Sequence, residues 1–198
     1  MSTLSFRPAR LQDCMTIAAL FRISSDGVAD YIWSQVNCPG LSLLAIGEQR
    51  YRRENTAFSY QNCLLAERDG RTVGMLHSFP IPRDSRPIPV NDPILRAASE
   101  LEVPGSLYIS SLAVFPAHRG QGIGSSLLEH GHAKAQAEGY DCVSLICFEE
   151  NRDSLRLYRR YGYEVVDRRT IEPHPLIHVS GDALLMRRAL APEGAMAA

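Results

Sequence analysis

A chain of 198 residues with 45% hydrophobic and 22% charged residues is long enough to bury a core and has an ordinary globular composition. Its formal net charge of -1 excludes a strongly basic nucleic-acid binder and gives no general attraction to anionic membranes. Without a signal-peptide segment or an apolar stretch of roughly 20 residues, the sequence predicts a cytoplasmic protein with neither a nucleic-acid nor a membrane partner.

The five cysteines give no sign of a disulfide framework or of a structural metal site. Their number is odd and no C-x-x-C pair occurs. This pattern fits a reducing compartment, and we expect no bound metal. Cys142 and Cys147 fall in a predicted strand, where a buried structural thiol is the ordinary role.

In chain order, the first half of the sequence alternates short strands with helices. Hydrophobic periodicity predicts a strand at Ser5–Arg7, helices at Leu11–Ser24, Ala29–Gln35 and Leu43–Arg53, and strands at Asn62–Glu67 and Arg71–Phe79. Asp69-Gly70, between the last two strands, is a typical hairpin signal.

A long connection punctuated by prolines follows, from Pro80 to Pro104. It contains one predicted helix, at Pro93–Leu101. Loops of this length are frequently functional. We expect this connection and residues 25–60 to shape a substrate pocket.

The second half of the sequence predicts a βαβ unit and two further strands. The elements are a strand at Leu107–Phe115, a helix at Gly122–Glu138, a strand at Cys142–Phe148, a helix at Asn151–Tyr161, and strands at Tyr163–Arg168 and Ala183–Arg188. Two strands joined by a helix normally lie parallel, whereas the remaining strands are hairpin-like. We therefore predict an α/β (α+β) fold with a mixed, mostly antiparallel central sheet and helices on both faces. One domain is expected over residues 1–190, with a frayed tail at 191–198.

A basic, glycine-dense turn links the predicted strand at Leu107–Phe115 to the helix behind it. Gly120, Gly122 and Gly124 carry no Cβ, so an anion can approach the backbone closely. The N-terminus of a helix has unpaired N–H groups and partial positive charge, and Arg119 adds a fixed charge. The turn predicts binding of a phosphate-bearing small molecule.

Several motifs compete for this turn. A P-loop needs a lysine after its last glycine, and none is present. A Rossmann fingerprint needs Gly-x-Gly-x-x-Gly close behind the strand, with an acid such as Asp141 for the ribose; the spacing here differs. Arg-x-x-Gly-x-Gly is met by Arg119, Gly122 and Gly124. Alternatively, the glycines only let the helix and strand pack closely.

A second group of polar residues lies on the helix predicted at Asn151–Tyr161. Asn151 and Tyr158 are two turns apart and share a face with Ser154 and Leu155. One helix face therefore offers an amide at its start and a phenol two turns on. The alternative is a capping Asn and a half-buried core Tyr.

Together, Leu-Ala-Val-x-Pro-x-x-Arg-Gly-Gln-Gly-Ile-Gly and Asn-x-x-Ser-x-x-Leu-Tyr-x-x-Tyr-Gly-Tyr resemble the GNAT superfamily of acyl-CoA-dependent N-acetyltransferases. The clear resemblance covers residues 106–168. It implies a GNAT-like sheet whose two parallel strands splay apart to admit acetyl-CoA, the expected co-substrate. It also implies one catalytic residue, Tyr158, which protonates the departing thiolate. The implied cofactor-binding residues are Leu112, Ala113, Val114, Arg119, Gly120, Gln121, Gly122, Ile123, Gly124, Ser125, Asn151 and Ser154.

The resemblance assigns these residues different tasks. Main-chain N–H groups from Gln121 to Gly124 hold the pyrophosphate, with Arg119 and Ser125 nearby. The backbone of Leu112 and Val114 pairs with the pantetheine arm, and Asn151 bonds its amides. A backbone N–H near Leu112 or Ala113 polarises the thioester carbonyl.

One departure from the family pattern concerns the general base. Many members place a glutamate on the central strand, where this sequence has Tyr108. We expect the base to be a water relayed to Glu100 or Glu102, or a carboxylate from the helical N-terminal region.

The function predicted on this basis is transfer of an acetyl group from acetyl-CoA to a primary amine of a small molecule or peptide, by direct attack in a ternary complex. A non-catalytic acyl-CoA-binding or sensing module and a dinucleotide-binding oxidoreductase are the alternatives. The sequence leaves open the acceptor, the acyl-chain preference and a homodimer.

Overall fold

Seven strands form one mixed sheet in the order β1-β2-β3-β4-β5-β7-β6. The computed structural model describes residues 3–86 and 90–190, so the predicted tail at 191–198 lies outside the described residues. The strands are β1 (Leu4–Pro8), β2 (Cys63–Arg68), β3 (Arg71–Pro80), β4 (Leu107–Val114), β5 (Cys142–Phe148), β6 (Glu164–Thr170) and β7 (Asp182–Ala189). The helices that flank the sheet are α1 (Cys14–Ser24), α2 (Val28–Ser34), α3 (Leu43–Tyr51), α4 (Pro93–Ser99), α5 (Ile123–Ala137) and α6 (Arg152–Arg160).

The strand pairing confirms the predicted mixed, mostly antiparallel sheet. β1 pairs with β2, β2 with β3, β5 with β7 and β6 with β7, all antiparallel. β4 and β5 are parallel, and their ladder joins Leu107 to Val143, Tyr108 to Ser144 and Ile109 to Leu145. β4 has eight residues, but only three of them pair with β5, as expected for two parallel strands that splay apart.

The element boundaries differ from the predicted ones by a few residues. α2 begins one residue earlier than predicted, α3 ends two residues earlier, and α5 begins at Ile123 instead of Gly122. Short 3₁₀ turns at Leu11–Asp13, Tyr60–Asn62 and Pro116–His118 were not expected. Such turns are common at helix ends and in connections, and they leave no hydrophobic period in the sequence.

The described chain packs as two compact units. Unit 1 comprises the chain up to Ser78, Ser111–Glu129 and Leu176–His178. Unit 2 comprises Phe79–Ser110, His130–Pro175 and the chain from Val179 onward. The single domain expected over residues 1–190 stays a prediction.

An aromatic cluster fills the core of unit 1. The Phe21 ring lies 6.1 Å from that of Trp33, 5.8 Å from Tyr51 and 5.7 Å from Phe58, in tilted or edge-on arrangements. Trp33 and Tyr51 are fully buried. Large buried aromatic side chains dominate core energetics, so this cluster holds α1, α2 and α3 together.

An ion-paired triad ties the beginning of α1 to the first two strands. The Arg7 guanidinium on β1 donates to both carboxylate oxygens of Asp13, at 2.7 and 3.0 Å, and to Glu67 on β2. Asp13 also accepts the Arg10 N–H at 2.7 Å. These hydrogen bonds, chiefly those from Arg7, lower the pKa of Asp13, although burial opposes the shift.

In unit 2, β5 lies between β4 and β7 and is buried over most of its length. Val143, Ser144 and Leu145 are each 1% exposed or less. The Ser106 hydroxyl donates to the Val103 carbonyl at 2.7 Å and lies 2.7 Å from the Ser144 hydroxyl. Because the one Ser106 proton is used on Val103, Ser144 donates to Ser106. This buried pair fixes the residues before β4 onto β5.

The Asp13 pairing makes a pH-dependent contribution to stability. Its folded pKa lies below the ordinary value of 3.8, so the contribution is complete above that value and is lost as the pH falls through the lower, folded-state pKa. Asp13→Asn should therefore destabilise the protein at pH 7, and the difference from the unaltered protein should shrink below about pH 4. Urea denaturation at pH values from neutral to acidic measures this difference in the free energy of unfolding.

Asp153→Asn is the matched control, because Asp153 also pairs with an arginine but is 88% exposed. Its effect should be small at every pH. A constant difference between Asp13→Asn and the unaltered protein from pH 7 to pH 2 would contradict the assignment.

Candidate active site

The glycine turn of unit 1 connects the end of β4 to the beginning of α5. Pro116–His118 forms a 3₁₀ turn, and Arg119 leaves it in an extended conformation. Arg119 Nε donates to the Val114 carbonyl oxygen at 3.1 Å. The guanidinium is therefore held back against the end of the strand.

Gly120 and Gly122 occupy backbone conformations that favour glycine. Their φ angles are +73° and +78°, in the left-handed region. No described atom lies within 4 Å of the position that a Cβ would take at either residue. Close packing of helix and strand therefore does not explain these two glycines, and the turn keeps open space beside its backbone.

The first turn of α5 points its main-chain N–H groups toward this turn. The Ser126 N–H donates to the Gly122 carbonyl at 3.0 Å, and this contact is the first α-helical hydrogen bond of α5. Helix geometry gives the Ile123 and Gly124 amides no acceptor within the helix, and the helix dipole adds positive charge there. The Arg68 guanidinium donates to the Gln121 side chain, so a second arginine lies beside the turn. These donors and charges fit a phosphate group.

The predicted pantetheine-binding residues lie at the end of β4. Ala113 is buried, whereas Leu112 and Val114 are half-buried. A Cβ on Gly74 of β3 would lie 2.9 Å from the Ala113 carbonyl oxygen, so the two strands approach closely here. Ser111, just before these residues, shares a 2.7 Å hydrogen bond with Ser24 at the end of α1.

Sequence reasoning missed a group of charged residues beside this turn. Asp26 has a φ of +47°, and its carbonyl accepts the His178 N–H at 2.9 Å. Burial raises the pKa of the Asp26 carboxyl, while the charges of His178 and Arg119 oppose that shift. No sequence spacing predicts this group, because the three residues are far apart along the chain.

The predicted residues of unit 2 lie on α6. Asn151 is the N-cap, and its Oδ1 accepts the Ser154 N–H at 3.2 Å. The capping role that the sequence offered is therefore present, and a contact of Asn151 with pantetheine stays a prediction. Tyr158, two turns on, is 7% exposed, and its ring centroid lies 5.7 Å from that of Tyr163.

Burial controls the chemistry of two phenols in unit 2. The pKa of Tyr158 is raised well above 10 by burial first, and then by the nearby Cys147 and Tyr108. The pKa of Tyr108 is raised by burial and by the charge of Glu102. The Tyr108 ring lies edge-on to Phe79 at 5.4 Å. Both phenols are therefore protonated at neutral pH, and Tyr108 in this form is not a base.

The carboxylates expected near the base position have different partners. Glu100 accepts a hydrogen bond from Arg169 Nε at 2.9 Å in an ion pair. Glu102 accepts a hydrogen bond from the neutral Ser85 hydroxyl at 2.9 Å. Asp26 is one of several carboxylates in the helical N-terminal region, and it belongs to unit 1.

Residues 3–86 and 90–190 contain no group of three or more His, Cys, Asp or Glu side chains arranged to hold a metal ion. Within the same ranges, every helix is too short or too polar to cross a membrane.

A model of the acetyltransferase (GNAT) family matches residues 32–163, more than half of the chain. The chain belongs to the GNAT acetyltransferase family. The matched region contains the glycine turn of unit 1 and the Asn151–Tyr158 face of α6, so both motifs found in the sequence lie within the GNAT domain.

Similar proteins agree with this family. The GNAT chain is 35% identical to N-alpha-acetyltransferase 40 of Saccharomyces cerevisiae over 74 residues. This match covers 34% of this chain and 26% of the yeast protein. The chain thus spans about a quarter of that relative's length.

Solved structures show the same fold. A crystal structure of an acetyltransferase superposes with a TM-score of 0.66 and 20% identity, covering 94% of this chain and all of that one. Naa50 of Arabidopsis thaliana, in complex with the bisubstrate analogue CoA-Ac-MVNAL, superposes with a TM-score of 0.55 and 19% identity over 94% of this chain and 99% of that one. These likenesses support the GNAT fold.

The predicted site residues fall into two sets. Unit 1 holds Leu112–Val114 and Arg119–Ser125, and unit 2 holds Asn151, Ser154 and Tyr158. The local geometry of each set suits its predicted task, and the individual roles stay predictions.

Proposed function

We propose that this GNAT chain, over residues 1–190, transfers an acetyl group from acetyl-CoA to a primary amine by direct attack in a ternary complex. The observation that carries this proposal is the Tyr158 phenol, which is 7% exposed and lies on α6 two turns after the N-cap Asn151, where it can give a proton to a leaving thiolate. A module that only binds acyl-CoA needs no proton donor at this position. The cytoplasmic location and a homodimeric state stay predictions.

The glycine turn supplies the donors that would hold the co-substrate. Acetyl-CoA carries a pyrophosphate, and main-chain N–H groups from Gln121 to Gly124 would hold it with help from Arg119 and Ser125. The open space beside Gly120 and Gly122 supports this assignment, because a side chain there would occupy the place of the phosphates.

Tyr158 has a clear task in the transfer. When the amine nitrogen forms its bond to the acetyl carbon, the C–S bond breaks and the sulfur leaves as a thiolate. Tyr158 gives its phenolic proton to that sulfur and later regains one from solvent. A backbone N–H at Leu112 or Ala113 would meanwhile polarise the thioester carbonyl.

A peptide N-terminus is the acceptor that the relatives favour. The yeast relative is named an N-alpha-acetyltransferase, and the Arabidopsis Naa50 structure contains a bisubstrate analogue that joins CoA to the peptide MVNAL. We propose a peptide α-amine as the acceptor of this chain, in preference to a small-molecule amine.

Binding and turnover together test this function. Acetyl-CoA at a hundredfold excess over its dissociation constant should stabilise the protein by about 2.7 kcal/mol, whereas NAD should not. Thiol should be released when peptides with different first residues are added. Stabilisation by NAD alone would favour an oxidoreductase, and acetyl-CoA binding without thiol release from any peptide or small amine would favour a sensing module.

Tyr158→Phe should lower turnover about 100-fold and leave the dissociation constant of acetyl-CoA nearly unchanged, because only the proton donor is lost. Thiol release and isothermal titration measure the two effects. Tyr161→Phe, at the C-terminal end of the same helix, is the matched control and should keep normal turnover. Equal turnover in Tyr158→Phe and Tyr161→Phe would remove Tyr158 from the reaction.

Gly122→Val should weaken acetyl-CoA binding by about tenfold or more, because its side chain would enter the open space beside the turn. Gly70→Val is a matched control for backbone strain: Gly70 has a φ of +71° and also has no described atom near its Cβ position, but it lies in the β2–β3 hairpin. Titration calorimetry compares the two variants. Normal affinity in a folded Gly122→Val protein would contradict the phosphate cradle.

A further inference from the structure

The proposed reaction needs a group that removes a proton from the acceptor amine. A free amine loses one proton when its nitrogen becomes an amide, and an α-amine that is protonated near neutral pH must first lose another proton to solvent before it can attack. The resemblance to the family leads us to expect a glutamate at the position of Tyr108, and burial keeps the Tyr108 phenol protonated. The base of this chain must therefore lie elsewhere.

The connection that precedes β4 holds a carboxylate beside Tyr108. Glu102 is half-buried, and its charge is one of the two causes that raise the pKa of Tyr108. Tyr108 in turn is near enough to Tyr158 to contribute, after burial and Cys147, to that residue's raised pKa. Glu102, Tyr108 and Tyr158 therefore form a series of neighbouring acid–base groups within unit 2.

Backbone and hydroxyl contacts fix the position of Glu102. Just after it, the Val103 carbonyl accepts the Ser106 hydroxyl at 2.7 Å, and Ser106 is joined to Ser144 on β5. Gly105 N–H donates to the Ile81 carbonyl at 3.0 Å. The segment on the C-terminal side of Glu102 is therefore held at the beginning of β4.

The partner of Glu102 leaves its charge available. The Ser85 hydroxyl donates to Glu102 Oε2 at 2.9 Å, which orients the carboxylate without neutralising it. Among the described residues, Glu102 forms no ion pair. Glu100, two residues earlier, is paired with Arg169, and a guanidinium partner makes a carboxylate a weaker base.

We propose that Glu102 is the general base of the transfer, which removes the proton of the attacking amine through one water molecule. This inference rests on the proposed function. As the N–C bond forms, an N–H bond breaks and an O–H bond forms on the Glu102 carboxyl, which later releases the proton to solvent. Tyr158 supplies the separate proton that the sulfur receives, so each proton transfer has its own donor or acceptor.

Glu102→Gln tests the proposal against Glu100→Gln as its matched control. Both variants are assayed with the free-N-terminus peptide that the unaltered protein acetylates fastest. Glu102→Gln should lose about 100-fold in kcat/KM at pH 7 and keep its affinity for acetyl-CoA. The deficit should shrink toward pH 9.5, because the amine is then deprotonated before it attacks and hydroxide can take the one proton that amide formation releases. Glu100→Gln should stay within about threefold of the unaltered protein, because it loses only a partly exposed ion pair with Arg169.

Chemical rescue separates a catalytic role from a structural one. Added formate should restore part of the turnover of Glu102→Ala, because a small carboxylate can occupy the vacated position, and should leave Glu100→Ala unchanged. The groups that share this region, Ser85, Tyr108, Tyr158 and Cys147, are the same in both variants. The rescue experiment remains informative even where Glu102→Gln folds poorly, because the turnover of one variant is compared with and without formate.

The outcomes distinguish the two proposals. If the unaltered protein releases no thiol with any acceptor, the proposed function fails and the Glu102 assignment fails with it. If the unaltered protein is active but Glu102→Gln loses no more activity than Glu100→Gln, or formate has no effect on Glu102→Ala, only the Glu102 assignment is overturned.

Discussion

Desolvation of two phenols is the physical constraint that sets the acid–base behaviour of unit 2. Burial disfavours a charged phenolate, so Tyr108 and Tyr158 keep their protons far above neutral pH. Tyr108 is therefore not a base, and Tyr158 can take part in the proposed transfer only as a proton donor.

Unit 1 presents positive potential at one place without a large basic surface. The chain as a whole carries a formal charge of only -1. Oriented amides at the beginning of α5, with Arg119 and Arg68 beside the turn, concentrate positive potential in one place. Positive φ angles at Gly120 and Gly122 make this geometry possible. The backbone of this turn thus creates locally the positive potential that strongly basic proteins create through their net charge.

Features that depend on local sequence could be predicted, and those that depend on distant contacts could not. The glycine turn and the Asn151–Tyr158 face follow from spacing within one or two elements, and together they indicated the family. The Asp26–His178 contact joins residues that no periodic pattern relates. Glu102 was one of three open alternatives, because the sequence does not show that Glu100 is held by Arg169 and Glu102 by a neutral serine.

The position of Glu102 also gives a reason for the long connection between β3 and β4. A base on the central strand has its direction fixed by the alternation of side chains along that strand. A base on the preceding connection is positioned instead by the hydrogen bonds that hold the connection, here those of Ser106 and Ser85. With the proton acceptor off the strand, the strand position is free for an aromatic residue, and Tyr108 packs edge-on against Phe79. On this argument, the connection and the tyrosine on β4 are two parts of one arrangement, because the tyrosine leaves the site without a base and the connection supplies one.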